Sequence, residues 1–106
     1  MVERGIFKLK LHDGMLVGNY SNEHVPDKFY PKCAMPLYKL NTNDIFIGSF
    51  KCIWFEETIQ PRAAILEINR YGFMYMLTWI SEQNNILFHG LAERIDTTLY
   101  GAYMLA

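Results

Sequence analysis

The side chains with the chemistry for catalysis or metal binding are few in this sequence, and they are scattered. His12, His24 and His89 and the cysteines Cys33 and Cys52 fall in separate segments. Zinc sites rely on close ligand pairs such as C-x₂-C, and no such pair is present, so no metal is expected. Glu56-Glu57 is a carboxylate pair in sequence only, because adjacent residues of a strand point to opposite faces. His12 reads as a turn residue and His89 as an outer-face strand residue. No Ser-His-Asp or Cys-His constellation can be nominated. The chain is therefore read as non-enzymatic, without a cofactor.

Composition narrows the function classes further. The chain has 106 residues, room for one domain spanning 1–106. Ten basic and eleven acidic residues give a formal charge of −1, with neither sign concentrated. A nucleic-acid binder needs clustered cations to displace counterions, so none is expected. The longest apolar run, Tyr71 to Ile80, is interrupted by Gly72 and Thr78 and is too short to span a membrane. Charges in Met1-Val-Glu-Arg-Gly-Ile-Phe-Lys break any signal-peptide core. Two cysteines without an export signal then point to the cytoplasm and free thiols. A single disulfide is the alternative if a signal has been lost.

The elements that would position any site are strands. Asp13-Gly14 has the chemistry of a tight hairpin turn between Phe7-Leu9-Leu11 and Met15 to Tyr20. Residues 21–43, with Pro26, Pro31 and Pro36, read as a long irregular loop in which only Leu37 to Leu40 could pair. Strands follow at Asp44 to Glu56, Arg62 to Arg70, Phe73 to Ser81, Ile86 to Glu93 and Leu99 to Leu105. No segment has a helical period. Short connections favour antiparallel neighbours, so the expected fold is all-β: a single antiparallel up-and-down barrel of seven or eight strands. An open sheet or small sandwich is the alternative.

A pattern of apolar-x-Gly-x-aromatic recurs at Leu16-Gly18-Tyr20, Phe46-Gly48-Phe50 and Leu99-Gly101-Tyr103, with a partial copy around Gly90. Glycine weakens a strand, so its repetition signals a geometric need, such as tight coiling with rings filling the vacated volume.

These motifs resemble the calycin-type barrels, and in spacing the avidins. Leu16-x-Gly18-x-Tyr20-x-Asn22 is similar to their L-x-G-x-W-x-N. Phe46-x-Gly48-x-Phe50 is similar to their F-x-G-x-Y, and Phe73-x-Tyr75-x-Leu77-x-Trp79 to a strand ending in a binding-site tryptophan. The run from Leu87-Phe88-His89-Gly90 to Tyr103-Met104-Leu105 follows their penultimate strands. The resemblance implies ligand-facing positions at Asn22, Phe50, Trp79 and Tyr103. Phe50 lacks the family's hydroxyl and Val25-Pro26 lacks its serine, so the implied barrel is not a biotin site.

Both faces of two strands are apolar. One row, Phe46, Phe50, Trp54, Phe73, Tyr75, Leu77 and Trp79, is read as the interior. Among it and nearby, Phe50, Trp54, Tyr75, Trp79 and Tyr103 are the candidates to hold a small apolar ligand. The opposite row includes Ile45, Ile47, Ile53, Phe55, Met74, Met76 and Ile80, which a solvated exterior should not carry. Ile45, Ile47, Phe55, Met74, Met76 and Ile80 are the candidates for an interface with a second copy of the chain, unless a loop covers them. Such a homo-oligomeric interaction module without a ligand is the alternative function.

Overall fold

The structure is a computed structural model and describes residues 4–22, 30–37, 44–55 and 62–106. Eight strands alternate with short connections: β1 (Arg4–His12), β2 (Met15–Asn22), β3 (Tyr30–Pro36), β4 (Gly48–Trp54), β5 (Arg62–Tyr71), β6 (Met74–Ile80), β7 (Ile86–Ile95) and β8 (Thr98–Leu105). Each pairs antiparallel with the next, and β8 closes on β1 to give a closed up-and-down barrel. Closure leaves no free sheet edge to be capped.

Local chemistry sets the turns. Asp13 and Gly14 both take positive φ, 50° and 79°, as a two-residue type I′ hairpin requires. The β5–β6 hairpin turns through Gly72 and Phe73, with positive φ at Gly72 alone. Phe73 therefore falls in the turn and is 81% exposed, which corrects its placement in the interior row.

Two expected strands are displaced. The third is Tyr30–Pro36, inside the stretch read as irregular and upstream of the Leu37 to Leu40 expectation. Its prolines are tolerated because β3 pairs with β2 only over Tyr30–Ala34 and with β4 only over Lys32–Pro36. Pro31 and Pro36 thus each have a single ladder neighbour, the setting in which a strand tolerates proline. Leu37 forms a bend, while residues 38–40 lie outside the described residues, as do His24 and Glu56-Glu57.

β4 starts at Gly48 rather than Asp44. The Asp44 carboxylate accepts the Phe46 N–H at 3.0 Å, an Asx turn that interrupts the strand alternation. Phe46 is still fully buried, Ile47 packs against the core, and Ile45 is exposed.

The interior combines large rings with very small residues. Tyr103 is the register partner of Gly5 on β1 and of Gly90 on β7, and Phe7 is the partner of Gly101 on β8. A Cβ on Gly101 would stand 2.5 Å from the Phe7 ring, and one on Gly90 would stand 3.0 Å from the Trp79 indole. The ring that occupies each glycine's space comes from a neighbouring strand, not from two residues along the same one.

The tightest of these approaches is a backbone one. A Cβ on Gly18 would fall 1.7 Å from the Lys8 carbonyl oxygen, whereas Gly14 has open space around it. Gly18→Ala is expected to lower unfolding free energy by more than about 2 kcal/mol. Gly14→Ala, which meets only φ strain, should cost about 1 kcal/mol. Urea denaturation of the two variants checks the order; equal losses would contradict it.

Candidate functional site

One end of the barrel is built around a buried amine. Lys32 projects inward from β3, is 8% exposed, and stands among rings from five other residues. Its Nζ lies 4.2 Å from the centroid of Trp79 (β6), 5.5 Å from Tyr20 (β2), 5.6 Å from Phe7 (β1) and 5.8 Å from both Trp54 (β4) and Tyr103 (β8). Such distances allow the ring quadrupoles to replace part of the lost hydration of an ammonium. Among the described residues no Asp or Glu forms an ion pair with it.

The rings are fixed by one another and by the backbone. Trp79 meets Phe7, Phe88 and Tyr103 edge-to-face at centroid distances of 5.5, 6.5 and 6.3 Å. The Tyr103 hydroxyl donates to the Ser21 carbonyl at 3.2 Å, and the Tyr20 hydroxyl donates to the Phe55 carbonyl at 2.8 Å. Trp79 Nε1–H is buried with no hydrogen-bond partner among the described residues. The Cys52 thiol lies near it, a weak acceptor that falls short of a full hydrogen bond. The cage thus presents two under-satisfied donors, an ammonium and an indole N–H, inside an apolar wall.

Burial pushes the Lys32 amine down from 10.5 to about 8, against an opposing pull from Cys52. Burial pushes the Cys52 thiol up, with Lys32 and then Trp79 acting the other way. Dehydration of the charge thus outweighs the pull of Cys52 on the amine.

The opposite end is sealed by charge. The Tyr75 hydroxyl donates to Asp44 Oδ2, which also accepts from Arg70 Nη1 at 3.3 Å. Arg70 Nη1 donates to the Tyr75 hydroxyl as well, at 3.0 Å, and Arg94 pairs with Asp44 Oδ1 at 3.7 Å. The Arg94 guanidinium covers the Phe46 ring and that of Arg70 covers Tyr75. This arrangement ties the turn before β4 to β5, β6 and β7.

The structure brings together Trp54, Trp79 and Tyr103 of the candidate ligand residues. Tyr75 belongs to the Asp44 end, Phe50 is a core residue, and Asn22 is half-buried at the end of β2. Lys32, Phe7, Tyr20 and Cys52 complete the cage and were not among the sequence candidates. Of the interface candidates, Ile45 and Phe55 are exposed at opposite ends of β4, and Ile47 packs on the core. Met74 and Ile80 are half-buried, and Met76 lines a groove on the outer wall. That groove, about 810 Å³, follows Ile6, Ala102, Leu91 and Met76, register partners across β1, β8, β7 and β6.

No protein-family model, no curated protein and no solved structure matches this chain. Fold and site together define a small closed β-barrel with one end sealed by charge and the other lined by rings around an amine.

Lys32 makes stability depend on pH with a defined sign. Its folded pKa lies below the unfolded value near 10.4, so the unfolded chain binds more protons between them, and stability rises with pH from about 8 to about 10.4. Cys52, with a raised pKa, acts oppositely above about 8.5, and Tyr20 and Tyr103 also face the amine. The difference between the wild type and Lys32→Met reports the lysine together with its pull on Cys52, which has the same sign. It should change by on the order of 3 kcal/mol across that window in the wild type's favour as pH rises. Chemical denaturation at a series of pH values measures it, and a difference independent of pH would contradict the assignment.

Proposed function

We propose that this barrel is a non-enzymatic binding module for a small, mostly apolar ligand with an anionic head, held at the Lys32 end. The observation that supports this reading is the Lys32 amine, caged by five rings without a carboxylate partner among the described residues. A buried cation lacking a counter-ion is costly, and a ligand carboxylate would offset that cost while the rings take its apolar body. Trp79 Nε1–H is a second donor available to the same head group. Kinship with calycin-type barrels, avidin-like or lipocalin-like, belongs to the same proposal; closed eight-stranded up-and-down connectivity is compatible with it. A reducing, cytoplasmic setting is likewise proposed, in keeping with the free thiols of Cys33 and Cys52.

Tryptophan fluorescence tests the reading with a matched pair of probes. Hydrocinnamate should quench Trp54 and Trp79 with at least roughly tenfold higher affinity than hydrocinnamyl alcohol, the value of one charge-assisted contact. Lys32→Met should abolish that preference. Equal affinity for the two probes would sink the proposed head-group specificity.

The outer groove favours a second reading, self-association of the barrel. Ile6, Leu91, Met76 and Met104 are exposed along it, and Ala102 leaves its floor low. Apolar rows of this kind are commonly contact surfaces, and a second copy presents the same row. Light scattering at micromolar concentration should give a mass above that of one chain, and Leu91→Lys should reduce it to one. A monomeric wild type removes this reading.

A further inference from the structure

We propose that Lys32 is a carbonyl-reactive amine that captures small apolar aldehydes as a protonated imine within its ring cage. The inference rests on the reading that the cage admits a small apolar ligand, and it adds a covalent outcome to it. A lysine buried among rings is set apart from the solvated lysines Lys8, Lys10 and Lys51, which are exposed. Desolvation removes the water that competes for the amine lone pair and leaves more of the amine neutral. With a pKa of about 8, roughly a fifth of it is unprotonated at pH 7.4, against about one part in a thousand for an ordinary lysine.

The chemistry closes without a redox partner. The neutral amine's lone pair forms a C–N bond to the aldehyde carbon, and the carbonyl π pair moves to oxygen. Transfer of a proton from nitrogen to oxygen gives the carbinolamine. The C–O bond then breaks, and the hydroxyl leaves as water with a proton from solvent. Overall, ammonium and aldehyde give iminium and water, so one positive charge stays at the position of Nζ. That charge remains over the Trp79 face at the distance already built for the ammonium, 4.2 Å. Trp79, Tyr20 and Tyr103 thus hold product and starting amine alike, while the aldehyde's apolar body takes up ring contact.

The test uses the full chain, hydrocinnamaldehyde and sodium cyanoborohydride at pH 7.4, with peptide mapping by mass spectrometry. Reductive labelling of Lys32 should exceed that of Lys8, Lys10, Lys28, Lys39 and Lys51 by about tenfold or more, given its larger neutral fraction. Hydrocinnamate should suppress labelling of Lys32 and leave the others and the α-amine unchanged. In Lys32→Met the dominant adduct should vanish; if that variant does not fold, the wild-type map decides alone. Quenching by hydrocinnamate without preferential labelling overturns the imine and leaves the binding reading standing. Absence of both quenching and labelling overturns the two together.

Discussion

The interior volume of an eight-stranded barrel is fixed by its strand number and tilt, and everything else here follows from fitting large rings into it. Seven residues of the interior are aromatic or indole side chains that are almost fully buried: Phe7, Tyr20, Phe46, Phe50, Trp54, Tyr75 and Trp79, with Tyr103 close behind. They fit because Gly5, Gly90 and Gly101 stand at inward positions and give up the space a side chain would take. Ring and glycine face each other across strands, so the exchange of volume is a property of register. A slip by one residue would set ring against ring and turn the polar row inward. This ties closure, packing and register into one constraint.

The same constraint explains why the two ends differ. Where rings and glycines are balanced, the wall is complete, and the cylinder needs only a stopper. Asp44 supplies one by gathering Tyr75, Arg70 and Arg94, whose guanidinium planes cover the last rings of the core. At the other end the rings pack edge-to-face on one another and also surround an amine. Cation and quadrupole attract there, while burial holds the amine's pKa below the ordinary lysine value.

Most of the architecture was legible in the sequence because it rests on local chemistry. Asp13-Gly14 announces a hairpin, alternation marks β1, turn residues bound β5 and β6, and the spaced glycines announce tight coiling. β3 was hidden for the opposite reason. Pro31 and Pro36 look like strand breakers, and only the offset pairing of β3 with its two neighbours makes them acceptable, a fact that belongs to tertiary structure. Missing β3 also concealed Lys32, whose inward direction follows from strand parity with Ala34. The signal was present as a lysine two residues before a small residue, but it cannot be read until the strand is known. Asp44 was misplaced because strand alternation says nothing about a carboxylate that captures the N–H two residues on. Phe73 followed the parity of its row and lost its place only because the turn claims it.

The offset pairing of β3 has a mechanical side. Only Lys32, Cys33 and Ala34 of β3 are laddered to both neighbours, and its two ladders, five pairs each, are the shortest in the wall. Every other wall strand has four or more residues laddered to both neighbours. A hoop under radial load parts where its stitching is shortest, and here the shortest stitching carries the barrel's buried amine. Any opening of the wall at β3 would therefore expose Lys32 as well.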